Sequence, residues 1–180
     1  MSKVECLLKS SLSNIDKSGL LELKNEYFEF LKSNPFPVPP DNKDFSKMIH
    51  YFKRKNESNP TIIGPYQNIT PFEAANRIAS DLVIINGLLQ LIGDQEPANS
   101  KVIVRLGTTH IKNKGDFTIN DHEGEAFNVA ESFLTQKLYK TKKKWEGKIL
   151  KYILINADVF PNVKSKLPDK RIILVKKWDE

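Results

Sequence analysis

The chain has 180 residues, 39% hydrophobic and 28% charged, which excludes a disordered protein and suits one domain with a sizeable core. A single cysteine, Cys6, excludes an internal disulfide and argues against a thiolate zinc site. Net charge is +6, and residues 136 to 180 hold 13 of the 28 Lys and Arg against 5 of the 22 Asp and Glu, a concentration that fits either a polyanion partner or a solvated lysine-rich helix face.

Residues 1 to 60 are expected to form a small helical region. Ser18-Gly19 precedes a run in which Leu20, Leu23, Tyr27, Phe28 and Leu31 fall at helical spacing. The proline-rich stretch 34–40 cannot continue a helix and reads as a linker. A second short helix is expected over Asp44 to Lys55, with Phe45, Met48, Ile49 and Phe52 on one side and Lys53, Arg54 and Lys55 outward. Those three basic residues are candidate nucleic-acid contacts or simply a soluble face.

An α/β core is expected over 61–180. Thr61 to Asn68 reads as a loop, and Thr70-Pro71-Phe72-Glu73 carries the start signals of a long helix: Thr70 as N-cap, Pro71 in the first turn, Glu73 in the capping-box position. Phe72, Ala75, Ala79, Leu82, Ile85 and Leu89 form its expected core stripe. The apolar run Leu82 to Ile92 is broken by Asn86, Gly87 and Gln90 and is too short to span a bilayer. No membrane segment or signal peptide is expected, and the setting is taken as cytoplasmic. A strand over 101–106, a hairpin, a helix over 131–145 with Phe133, Leu134, Leu138 and Trp145 inward, and strands over 152–156 and 171–175 follow.

The hairpin contains a conflict. Asp116 to Ile119 and Glu125 to Val129 alternate like strands about an Asn-Asp-His-Glu-Gly turn, so Asp116 and Glu125 should face each other across the pair. Facing carboxylates repel unless a cation lies between them, and their hard oxygens suit Mg²⁺, with Mn²⁺ as substitute. The backbone carbonyl of Ala126 is a further candidate ligand, and Glu123 another unless it is only a turn acid. His122 has no second histidine four residues on, and the chain has neither a Gly-x-x-x-x-Gly-Lys phosphate loop nor a Ser-His-Asp arrangement, so no nucleotide cofactor is expected.

The order helix, three strands, helix, strand, with Asp116 and Glu125 on successive strands, resembles the PD-(D/E)XK nuclease superfamily over about 71 to 176. The resemblance implies a restriction endonuclease-like αβββαβ core with a mixed sheet flanked by helices. It also implies a Mg²⁺-dependent endonuclease acting on DNA, commonly as a homodimer. Phe127 occupies the position where the family motif has lysine. In some branches the following helix supplies that lysine, which makes Lys137 the candidate here. Glu73 matches the acid that many members contribute from the helix before the sheet, although it also completes its own capping box. Lys140, Lys142, Lys143 and Lys144 are the expected backbone contacts. Two other readings stay open: a non-catalytic nucleic-acid-binding or regulatory protein on the same scaffold, suggested by Phe127, and a protein-interaction module of antitoxin or immunity type.

Overall fold

Alternation along the central strands sends Val102, Val104, Phe117, Ile119 and Leu154 to one side of a sheet and Phe127, Ile153 and Ile155 to the other, and each set is buried under helices. The computed structural model describes residues 3–8, 11–37, 44–54, 61–107, 114–156 and 169–175. Among these residues it is a mixed α/β protein with four helices. The main sheet is built from β2 (Ser11–Ile15), β5 (Val102–Arg105), β6 (Phe117–Ile119), β7 (His122–Phe127), β8 (Leu150–Asn156) and β9 (Ile172–Val175), in that order across the sheet. Neighbours from β2 through β7 run antiparallel, and β7, β8 and β9 run parallel. Strands β1 (Glu5–Cys6), β4 (Tyr66–Gln67) and β3 (Ile62–Ile63) form a small second sheet.

Helices α1 (Lys17–Ser33) and α3 (Pro71–Asp94) cover one face, and α4 (Glu131–Lys144) covers the other. Helices α1 and α3 begin at side-chain caps. Asp16 caps α1 by accepting from the N–H groups of Ser18 and Gly19 at 3.1 and 3.2 Å, and Thr70 caps α3 by accepting from the N–H of Glu73 at 3.2 Å. The helical backbone of α3 is interrupted at Ile92 and Gly93, the latter at φ 115, a conformation open to glycine. No helix among the described residues is long and apolar enough to cross a membrane.

Several expectations change. The first 60 residues are not helical throughout: β2 is an edge strand of the main sheet, and α1 places Leu20, Leu23 and Tyr27 in the same core as α3. The loop expected at 61–68 is the β3–β4 hairpin around Gly64 and Pro65. Phe72 and Ala75 face outward, with Phe72 60% exposed, while Ala74, Leu82, Ile84, Ile85, Leu88 and Leu91 are buried. The shift has a simple cause. From Asp81 to Ile85 the helix is buried on every side, by α1 as well as by the sheet, so a single stripe does not describe it. Helix α2 (Phe45–Lys53) buries no residue fully, and Phe45 is exposed. Phe133, expected inward on α4, is 62% exposed; Leu134, Leu138, Thr141 and Trp145 form the buried side instead.

One polar group lies deep between these layers. Asp81 on α3 accepts a hydrogen bond from Tyr27 on α1 at 2.9 Å and another from Tyr66 on β4, joining both helices to the small sheet. Burial pushes its carboxyl up to about 6 against the pull of the two hydroxyls. The folded group therefore holds its proton more tightly than a free one. That contribution to stability is full below the ordinary value of 3.8 and is lost as pH rises through about 6. Urea unfolding of Asp81→Asn should accordingly decline less across this window than wild type. At neutral pH, Asp81→Ala should lower stability by about 2 to 4 kcal/mol by stranding two buried hydroxyls, and Tyr27→Phe by about 1 kcal/mol.

Candidate metal centre and active site

The site is set by the turn at the far end of its hairpin. Asn120 and Asp121 have φ values of 45 and 69, the paired left-handed conformation of a two-residue hairpin loop. The turn is shorter than the five residues expected, because Asn and Asp tolerate this conformation and release His122, Glu123 and Gly124 into the strand. Registers of Ile119 with His122, Thr118 with Glu123 and Phe117 with Gly124 follow. Beyond that register the Asp116 N–H donates to the Gly124 carbonyl at 2.8 Å, which leaves Asp116 close enough to Glu125 for their charges to interact.

Two glycines make the hairpin this close. A methyl on Gly115 would lie 2.1 Å from the Gly124 carbonyl oxygen, and one on Gly124 would lie 2.1 Å from the ring of Phe117. Neither position admits a side chain.

Asp116 sits just before β6, and its Oδ2 accepts from the N–H of Ala126 at 2.8 Å. Burial first, and the charge of Glu125 second, raise its carboxyl to about 6; the Ala126 N–H and the ammonium groups of Lys144 and Lys137 oppose them. Glu125 is buried, and its Oε1 accepts from the indole N–H of Trp145 at 2.9 Å and from Lys144. Lys144 keeps 43% of its side chain exposed. Lys137 points to the same region: its ammonium lies 4.9 Å above the ring of Phe127. Helix α4 thus brings two lysines to the acid pair, and the one bonded to Glu125 is Lys144.

The other candidates are placed differently. Glu123 is held by Arg105 at 3.3 Å, Lys114 at 3.1 Å and the N–H of Gly115 at 2.7 Å, so its carboxylate ties the hairpin to β5. Glu73 is paired with Arg77 at 2.8 Å, and Arg77 also donates to the Gly107 carbonyl at 2.7 Å. No hydrogen bond or ion pair among the described residues brings Glu73 to Asp116 or Glu125. Lys140 and Lys143 are exposed on α4, and Lys142 lies 3.6 Å from Asp169. Lys53 and Arg54 are exposed at the end of α2, and Lys55 lies outside the described residues.

The donor set suits a lightly held cation. No group of three or more His, Cys, Asp or Glu side chains is arranged to hold a metal among the described residues. Mg²⁺, however, keeps several waters and is commonly bound by one or two carboxylates together with substrate oxygens. The hydrogen bonds described above use Oδ2 of Asp116 and Oε1 of Glu125, leaving Oδ1 and Oε2. Among the described residues no buried side-chain polar atom lacks a hydrogen-bond partner. The N–H and carbonyl of one strand residue leave on the same side, so the Ala126 carbonyl points past Asp116 as well. Two carboxylates and a carbonyl are the kinds of donor that a hard divalent ion takes.

Trp145 and Arg105 are the site residues that the sequence did not mark as functional positions, and Lys144, expected as a phosphate-backbone contact, is bonded to Glu125. Lys144 follows Lys137 by seven residues, two helical turns, so periodicity put both on one flank without saying which reaches Glu125. The electrostatics can be tested without any metal. Glu125→Gln should move the Asp116 carboxyl downward and Lys144→Met should move it upward, read from the pH dependence of the Asp116 side-chain carbon signal by NMR.

Compared with family models, curated proteins and solved structures, the chain matches none of them.

Proposed function

We propose that this protein is a Mg²⁺-dependent endonuclease that hydrolyses phosphodiester bonds of duplex DNA, with restriction of foreign DNA in the cytoplasm as its setting. The observation that carries the reading is the juxtaposition of Asp116 and Glu125 across the hairpin with Lys144 and Lys137 leaning on the pair from α4. Support also comes from the order α3, β5, β6, β7, α4, β8, which agrees with the αβββαβ plan of a restriction endonuclease-like core.

Asp116, Glu125 and the Ala126 carbonyl would hold the ion. When bound, a divalent cation supplies charge neutralisation at a phosphate oxygen and lowers the pKa of a water. The chain's own part is positional. Lys144 and Lys137 bring positive charge to where a scissile phosphate would develop negative charge, and a lysine is a compact point charge suited to that task. The exposed lysines Lys140 and Lys143 extend the same field along the helix and fit a phosphate backbone. Glu73, engaged with Arg77, supports the start of α3 in this scheme. Cutting both strands calls for two such centres, so the working form is proposed as a homodimer.

One observation favours a non-catalytic nucleic-acid-binding protein on the same scaffold. Phe127 stands in the lysine position, and Glu125 already has Lys144 as a counter-charge. Cleavage of plasmid DNA separates the two readings. Wild type should cut in Mg²⁺ or Mn²⁺ and stop with chelator, while Glu125→Ala and Asp116→Asn should lose about a hundredfold or more in rate and still bind DNA. Binding with no cleavage in either ion would leave only the regulatory reading. An absence of salt-dependent affinity would remove both and turn attention to an interaction module. If binding occurs, Lys140→Gln and Lys143→Gln should each reduce the slope of log affinity against log salt by about one.

A further inference from the structure

We infer that Trp145 is the positioning residue of this centre, fixing one oxygen of Glu125 so that the other is presented to a divalent cation, and that Lys144 is the partner which that cation displaces. The inference rests on the reading of Asp116 and Glu125 as a cation site.

The indole is well placed to hold geometry. Trp145 is 6% exposed and packs with Leu134, Leu138, Leu150 and Ile153 in the core beneath α4. Its N–H can only donate, and it donates to Oε1 of Glu125 at 2.9 Å. A neutral donor on a ring locked by packing orients the carboxylate and leaves its charge in place. Lys144 has the opposite character. Its ammonium lies on the same Oε1 and 5.5 Å from the centre of the Trp145 ring, at the end of a flexible stem with nearly half its surface in solvent. One indole therefore holds the acid by its edge and the ammonium by its face.

These two partners differ in what it takes to remove them. Withdrawing Trp145 would disrupt the core, whereas Lys144 can swing into water. A buried carboxylate without counter-charge is unfavourable, so Lys144 leaves readily only when another cation arrives. Displaced from Glu125, its ammonium stays tethered at the end of α4 beside the centre, available to a phosphate.

The test uses the full chain. Trp145 and Trp178 are its two tryptophans, so a Trp178→Phe background reports Trp145 alone. Titrating Mg²⁺ or Mn²⁺ should change Trp145 emission saturably, and Glu125→Gln should abolish the change. Lys144→Met should bind Mn²⁺ several-fold more tightly while cleaving DNA more slowly, since a competitor for Glu125 is gone. Trp145→Phe, with unchanged circular dichroism, should bind Mn²⁺ about tenfold more weakly by electron paramagnetic resonance. Saturable Mn²⁺ binding that is no tighter in Lys144→Met and leaves Trp145 emission unmoved would overturn the positioning role while sparing the cation site. A wild type that binds neither ion would overturn both. Should Trp145→Phe fail to fold, the emission and Lys144→Met measurements decide alone.

Discussion

Two left-handed residues, Asn120 and Asp121, leave the β6–β7 hairpin a single register, and the placement of every charged group around β7 follows from it. With a period of two, a slip of one residue would turn Glu123, Glu125 and Phe127 to the opposite face and bring Gly124 and Ala126 into their place. The crowding at Gly115 and Gly124 excludes such a slip from the other side, since neither position can accept a side chain against its neighbour. A short turn and two missing side chains thereby bring a pair of carboxylates together.

Charge is distributed along one face of that hairpin in two groups with different work. Nearer the turn, Glu123 is surrounded by Arg105, Lys114 and the Gly115 N–H, an arrangement that satisfies it and ties three segments together. Farther along, Asp116 and Glu125 share fewer positive partners, and those come from a helix whose lysine ends are in solvent. The first group is closed within the protein. The second is balanced by an ammonium at the end of a solvent-exposed stem, and this asymmetry, more than the count of acids, is why the second is the one proposed for chemistry.

How much of this could be read from the residues depended on how local the cause was. Strands β5, β8 and β9 were legible because nearly every residue is apolar, and α3 because Thr70, Pro71 and Glu73 mark its start. The nearness of Asp116 and Glu125 was legible from alternation about a turn. Strand β2 was not: Ser-Leu-Ser-Asn-Ile carries too little apolar periodicity for an edge strand to declare itself. The β3 and β4 strands are two residues each, below the length at which any period can be seen. The choice of Lys144 over Lys137 at Glu125, the role of Trp145, and the burial of Asp81 between two tyrosines all depend on distances between elements far apart in sequence.

The edge position of β2 bears on how the chain can be divided. A fragment beginning after the proline-rich stretch would retain every residue of the acid pair and of α4, yet it would bare the outer ladder of β5 and the face of α3 that Leu20, Leu23 and Tyr27 cover. Exposed apolar helix and unpaired strand edge together form a surface prone to self-association. The first thirty-odd residues are structural support for the α/β core, so expression trials that trim them as a detachable appendage would yield aggregates in place of a minimal domain.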